Sequence, residues 1–192
     1  RAPTPTSGGI GIGAGYGAAM LILSLYSVEW RHQISPQGVS MLWVSALFAY
    51  PLLLIGFVDD ARALSVQFKF AVYSALAIAA AWLIGVVDEL RVGDLVVTLP
   101  FVVALFGTAL WVFTLLNVVN FMDGANGMAM GSVTVGLCAL SVIALDGNSV
   151  GGGAIALCGA GALAGFLVWN FPSGRLFAGD SGALFAGALA AF

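Results

Sequence analysis

The chain has 192 residues, of which 61% are hydrophobic and 8% charged, with a mean hydropathy of +1.07 and a formal net charge of −3. A soluble domain carries about a quarter charged residues, so this composition excludes one and places the whole chain, as a single integral-membrane domain, in a bilayer. The acidic excess says little about partners, because it can sit in loops or in a metal site; membrane lipid is expected around the chain, and no nucleic acid.

Taken in order, the chain opens with Pro-Thr-Pro-Thr-Ser-Gly-Gly from Pro3, a loop because two prolines forbid a regular helix. A first apolar span follows over about 8–28. Glu29, Trp30, Arg31, His32 and Gln33 form a polar turn with interfacial character, and His32, the only histidine, reads as an interface residue. The second span covers about 38–57, with Pro51 as an expected kink, and delivers Asp59 and Asp60. The third covers about 66–87. The connection 88–98 holds Glu89, Arg91 and Asp94 among β-favouring residues, which suits either a short hairpin or a re-entrant piece.

Pro100 suits the first position of the fourth span. That span ends in Asn117 to Gly131, NVVNFMDGANGMAMG, where Asn117, Asn120, Asp123 and Asn126 recur every third residue and would share one arc of a helix end. A fifth span over about 128–145, a polar turn at 146–153 and a sixth span over about 154–169 come next. The loop NFPSGRLFAGDSG from Asn170 then leads into a seventh run, from Ser181 to Phe192, too short to cross. Both ends of the sequence are therefore expected to be truncated. Cys138 and Cys158 fall inside apolar runs and read as small core residues. The fold class is all-α: a polytopic transmembrane bundle of six complete spans and an incomplete seventh.

Each span of about 20 residues carries the chain across the bilayer. Two crossings separate the opening loop from Asp59 and Asp60, two more reach Asp123, and another two reach Asp180. Even counts put all four polar clusters on one face. That face carries Arg1, Arg62, Lys69 and Arg175, against Arg31 and Arg91 opposite, so the excess of positive residues marks it as cytoplasmic.

Asp59, Asp60, Asp123 and Asp180 on one face would repel one another unless a cation or a proton sits among them. Hard oxygen donors without His or Cys suit Mg²⁺ better than Zn²⁺, and Mg²⁺ is commonly shared with substrate phosphates. Asp180, in AGDSG, falls at a helix N-terminus, either as its cap or as part of an anion site. With Lys69 and Arg175 nearby in sequence, the combination suits phosphoryl transfer. A secondary transporter is the alternative from another class, but its acids should lie near mid-span, not at span ends.

The strings PTPTSGG (3–9), GFVDD (56–60), NVVNFMDGANGMA (117–129) and WNFPSGRLFAGDSGALFAG (169–187) resemble, in order and spacing, the polyprenyl-phosphate N-acetylhexosamine-1-phosphate transferases. That superfamily includes the phospho-MurNAc-pentapeptide translocase and enzymes that begin O-antigen and teichoic-acid synthesis. The resemblance implies a multi-pass bacterial inner-membrane enzyme that moves a sugar-1-phosphate from a UDP-N-acetylated sugar onto undecaprenyl phosphate, releasing UMP, with Mg²⁺; a homodimer is compatible with it. By motif match Asp59 takes the role of base on the lipid phosphate, Asp60 and Asp180 resemble metal-site residues, and Asp123 lines the nucleotide and metal pocket; Asp59, Asp60 and Asp123 are thus the expected catalytic residues, and Asp60, Asp123 and Asp180 the expected metal-site residues. Lys69 resembles a phosphate contact, Asn117, Asn120, Asn126 and Arg175 substrate-pocket positions, and Asn170 a polar active-site residue. Asn126 stands where many members carry a second Asp, and the NFMDG-x-NG and WNFP forms look more like the O-antigen-initiating branch.

Overall fold

A computed structural model of the chain describes residues 5–26 and 36–192. Among them, seven helices and one hairpin follow in the order α1 (Gly8–Tyr26), α2 (Pro36–Ala61), α3 (Val66–Ile84), β1 (Glu89–Val92), β2 (Leu95–Thr98), α4 (Phe101–Met122), α5 (Met128–Asp146), α6 (Val150–Asn170) and α7 (Gly179–Ala191). Six of the helices, α1 to α6, are long and apolar enough to cross a membrane.

These helices are apolar all round, which in water would be unstable and in lipid is what a span requires. Large side chains such as Trp43, Phe106, Val135 and Val168 point outward, as lipid-facing groups do. The core is instead built from small residues around α7, whose Ala183, Leu184, Phe185, Ala186 and Ala188 are fully buried. Helix α7 lies at the centre of the bundle and packs on α1, α2, α4, α5 and α6. Without a hydrophobic force between helices in lipid, close backbone approach through Gly and Ala supplies the attraction. The shortest helix is therefore the hub, and its N-terminus becomes the place where the other elements converge.

Most boundaries fall within a residue or two of those expected, and the differences have causes. Helix α2 continues past Phe57 to Ala61 with Pro51 inside it, so Asp59 and Asp60 occupy its last turn instead of following it. Two carboxylates oppose the dipole there, and partners on other elements hold them. Helix α3 stops at Ile84 because Gly85 leaves helical space at φ 129°, short of the expected Val87. The 88–98 connection is a hairpin, turning at Gly93 with φ 59°. Pro100 is the residue before the first helical one, and the polar turn before α6 shrinks to 147–149. Cys158 is buried as expected, whereas Cys138 lies on the outer surface. His32 and its polar turn, with Arg1 and Arg31, lie outside the described residues.

Candidate active site

The site is assembled at the N-terminus of α7, whose first N–H groups have no partner inside the helix. The expected cap, Asp180, does not supply one: the N-cap position is Ala178, and no local side chain bonds there. Asp60, 120 residues away in sequence, does so instead. Its Oδ1 accepts from Asp180 N at 2.9 Å and its Oδ2 from Ser181 N at 3.2 Å. The helix dipole of α7 thus neutralises the carboxylate that the C-terminal end of α2 disfavours.

This junction is packed on glycines, two of which hold Asp60 against α7. Gly179 has φ 69°, and a Cβ there would meet Asp60 Oδ2 at 2.5 Å and Thr6 O at 2.6 Å. Gly56, one turn before Asp60, lets α2 reach the backbone of α7: a Cβ at 56 would lie 2.5 Å from Ser181 N. The opening loop closes the junction from the other side. Phe177 N donates to Pro5 O at 2.9 Å, while Gly8 N and Gly9 N donate to Phe177 O and Ala178 O, both at 3.0 Å.

Asp59 turns the other way. Its Oδ2 pairs with Lys69 Nζ at 2.7 Å and its Oδ1 accepts from Leu64 N at 2.7 Å. Ser65 caps α3 by accepting from Phe68 N, so Lys69 points back along its helix at the acid it pairs with. The Asp59 side chain is only 6% exposed and that of Lys69 28%, so the pair is part-buried, with its cation reaching toward water.

Asp180 and Asp123 lie within reach of the charges of the other acids. Burial, then contact with Asp59 and the charges of Asp59 and Asp60, pushes the Asp180 carboxyl up to about 6. Burial, then the charges of Asp180 and Asp60, pushes Asp123 up to about 6 as well. Acids that raise one another in this way lack compensating charge, and Lys69 is the one cation seated among them in the described residues. No group of three or more acids, His or Cys stands close enough to form a ready metal cage among the described residues. The donor set fits a hard cation that takes one or two protein carboxylates and completes its shell with substrate oxygens.

The Asn117 to Gly131 stretch splits at the end of α4. Asn117, Asn120 and Asp123 line an open cavity of about 640 Å³, as one helical arc predicts; Asn117 Nδ2 also donates to Phe113 O at 2.7 Å. Asn126 departs from that arc because the helix stops at Met122, and its amide donates to Pro172 O at 3.2 Å. Asn170 is 4% exposed and bridges two loops: Gly127 N donates to its Oδ1 at 2.6 Å and its Nδ2 donates to Leu176 O at 2.9 Å. Both amides therefore hold the loops that present Asp123 and Asp180. Arg175 is exposed on the loop before α7 and enters no ion pair among the described residues.

The glycosyl transferase family 4 model matches residues 42–192. The chain belongs to that family. It is 29% identical, over 95% of its length and 48% of the relative's, to a probable undecaprenyl-phosphate N-acetylglucosaminyl 1-phosphate transferase of Bacillus subtilis. It is 31% identical to the phospho-N-acetylmuramoyl-pentapeptide-transferase of Desulforudis audaxviator, over 96% of this chain and 60% of that one. The enzyme of the same name from Lactiplantibacillus plantarum is 28% identical over 100% of this chain and 61% of its own length. This family member thus spans about half to three-fifths of the length of these curated relatives.

Sequence reasoning missed Gly56 and Gly179 as parts of the site, and it expected an anion at the N-terminus of α7 without finding that Asp60 supplies it. The glycine before Asp180 in AGDSG was the available signal for a left-handed residue at a helix start. Nothing local signals Gly56, whose constraint comes from a helix more than a hundred residues away.

Proposed function

We propose that the protein containing this chain transfers an N-acetylhexosamine 1-phosphate from a UDP-sugar to undecaprenyl phosphate, releasing UMP, as the first membrane step of an envelope glycan such as O-antigen or a related polysaccharide. The observation that carries this reading is the convergence of Asp59, Asp60, Asp123 and Asp180 with Lys69 at one end of an apolar bundle. A lipid acceptor can lie along such helices while its phosphate reaches that end, where a water-soluble donor arrives. The names of the relatives support the same substrates. Acids at helix ends, not at mid-span, favour this chemistry over ion-coupled transport.

In the transfer, an oxygen of the lipid phosphate attacks the sugar-bearing phosphorus of the UDP-sugar, and the bond from that phosphorus to the bridging oxygen breaks. UMP departs with the bridging oxygen and its electron pair. Asp59 takes the proton of the lipid phosphate, with Lys69 holding the carboxylate in place. Asp60 keeps a free lone pair on each oxygen beyond those facing α7, so Asp60 and Asp180 are the residues that would hold Mg²⁺, with substrate oxygens completing its shell and Asp123 beside them. The ion would neutralise charge on the diphosphate. Asn117 and Asn120 line the space beside Asp123, which suits the nucleotide sugar, and Arg175, exposed on the loop before α7, would contribute a phosphate contact.

The test is UMP release by the purified full-length protein with undecaprenyl phosphate, Mg²⁺ and a panel of UDP-N-acetylated sugars. Release with one or more of them is expected, lost on omission of Mg²⁺; absence of release with every sugar refutes the activity. Asp59→Asn should abolish turnover and leave nucleotide binding intact. Wild-type turnover in that variant refutes its role as the base.

A further inference from the structure

The hairpin at the end of the bundle opposite the acids is amphipathic. Its register pairs Glu89 with Thr98, Leu90 with Val97, Arg91 with Val96 and Val92 with Leu95. Residues directly opposite share a face and successive residues alternate. One face therefore carries Leu90, Val92, Leu95 and Val97, and the other Glu89, Arg91, Val96 and Thr98. All eight are exposed, Val92 at 75% and Leu95 at 63%. The two strands pack on each other and on no helix among the described residues. A lone two-stranded hairpin is at best marginally stable in water, so an uncovered apolar face needs something to cover it.

Three observations identify the cover as lipid. Val87 N, just before β1, donates to Thr108 Oγ1 at 2.9 Å, and Thr108 lies seven residues into α4, about 10 Å from its start. The base of the hairpin is thereby tied down beside the apolar wall of the helices, and Leu99 N donating to Asp88 O at 2.7 Å closes it there. Second, Trp82 and Phe101 stack edge-to-face at 5.4 Å on the outer surface of α3 and α4 at this same end, where interfacial aromatics gather. Third, the charges of the polar face are spent on each other, with Arg91 Nη2 2.6 Å from Glu89 Oε2. A pair closed in this way offers a charged protein partner little, yet it tolerates a membrane surface.

We propose that this hairpin is a membrane-interface anchor, with Leu90, Val92, Leu95 and Val97 among the upper acyl chains and Glu89, Arg91 and Thr98 toward water. It lies flat, because the outer edges of the two strands carry backbone groups that only water or headgroups can satisfy. The anchor serves the far end of the molecule. Helix α3 has 19 residues and rises about 28 Å, close to the ~30 Å thickness of the hydrocarbon core. Pinning its Ile84 end at one interface holds the Ser65 end, about 28 Å away, near the other, with Lys69 one turn below it. The inference rests on the membrane fold alone and not on the proposed reaction.

The experiment uses the full-length protein with Cys138→Ala and Cys158→Ala, single cysteines introduced as Val92→Cys or Val96→Cys, and a polarity-sensitive fluorophore attached in phosphatidylcholine–phosphatidylglycerol vesicles. At position 92 the emission should shift to the blue, and spin labels on the upper acyl chain should quench it several-fold more than at position 96. At position 96 an aqueous quencher should dominate. Leu95→Cys against Arg91→Cys repeats the comparison, which guards against one ill-behaved variant. Equal quenching of the two faces from water overturns the proposal. So does a dry probe at position 92 that lipid quenchers fail to reach, since protein then covers that face.

Discussion

Neighbouring carboxylates, Asp59 and Asp60, have opposite partners, and their substitutions should separate accordingly. Asp60 caps α7 through two backbone bonds, so Asp60→Ala should cost about 1–2 kcal/mol of stability, the range for a lost cap. Asp60→Asn keeps one acceptor oxygen and should cost less, while turnover falls in both. Thermal melting of the substrate-free protein checks this: equal melting temperatures for wild type and Asp60→Ala would mean that the cap contributes nothing. Asp123 and Asp180, both raised to about 6, give a pH signature with a definite sign. A carboxyl raised in the folded state favours folding when protonated; that contribution is complete below the unfolded value near 4 and is lost as pH rises through about 6. A bound cation demands the ionised form and runs the other way. Added Mg²⁺ should therefore raise the melting temperature above about pH 6 and have little effect below about pH 5, and a pH-independent shift would disconnect these acids from the cation.

At the scale of elements, α2 approaches the backbone of α7 closely at Gly56. A methyl group there must displace backbone, 2.5 Å away at Ser181 N, so Gly56→Ala should destabilise by about 1–3 kcal/mol. Activity should fall further, since the displacement moves Asp60. Gly107 on α4 is the control: a Cβ there would meet nothing within 4 Å, so Gly107→Ala should be neutral or slightly stabilising by helix propensity. Melting and turnover of the two variants side by side decide it, and equal behaviour would mean that the α2–α7 contact is not tight. The same contact shows where the sequence was readable. Apolar run length placed six spans within a few residues, because a helix in lipid must satisfy its own backbone and so declares itself by length. The alignment of Asn117, Asn120 and Asp123 was visible for the same reason, as helical period. Asn126 escaped that period because the helix ends at Met122. The capping of α7 by Asp60 and the bridging of two loops by Asn170 escaped too, since both join residues far apart in the chain and leave no local pattern.

For the whole molecule, an even number of crossings between clusters predicts that the four motif stretches meet at one end, and the hydrogen bonds from Phe177 to Pro5, Asp180 to Asp60 and Asn126 to Pro172 join them there. The opposite end carries the hairpin. Of the described basic residues, Arg62, Lys69 and Arg175 lie at the acid end and Arg91 at the hairpin end. Positive residues concentrate on the cytoplasmic side because membrane insertion retains them there, and the proposed reaction takes its nucleotide donor from water at the acid end. The proposed reaction therefore expects the acid end to face inward. Cysteines at two exposed positions outside the site, Arg62→Cys and Asp94→Cys, report this directly in full-length protein freed of Cys138 and Cys158. A membrane-impermeant maleimide added to intact spheroplasts should label position 94 and spare position 62, and inside-out vesicles should reverse the pattern. Labelling of position 62 from outside would turn the carboxylates away from any cytoplasmic nucleotide and remove the proposed donor, whatever the arrangement of the acids themselves.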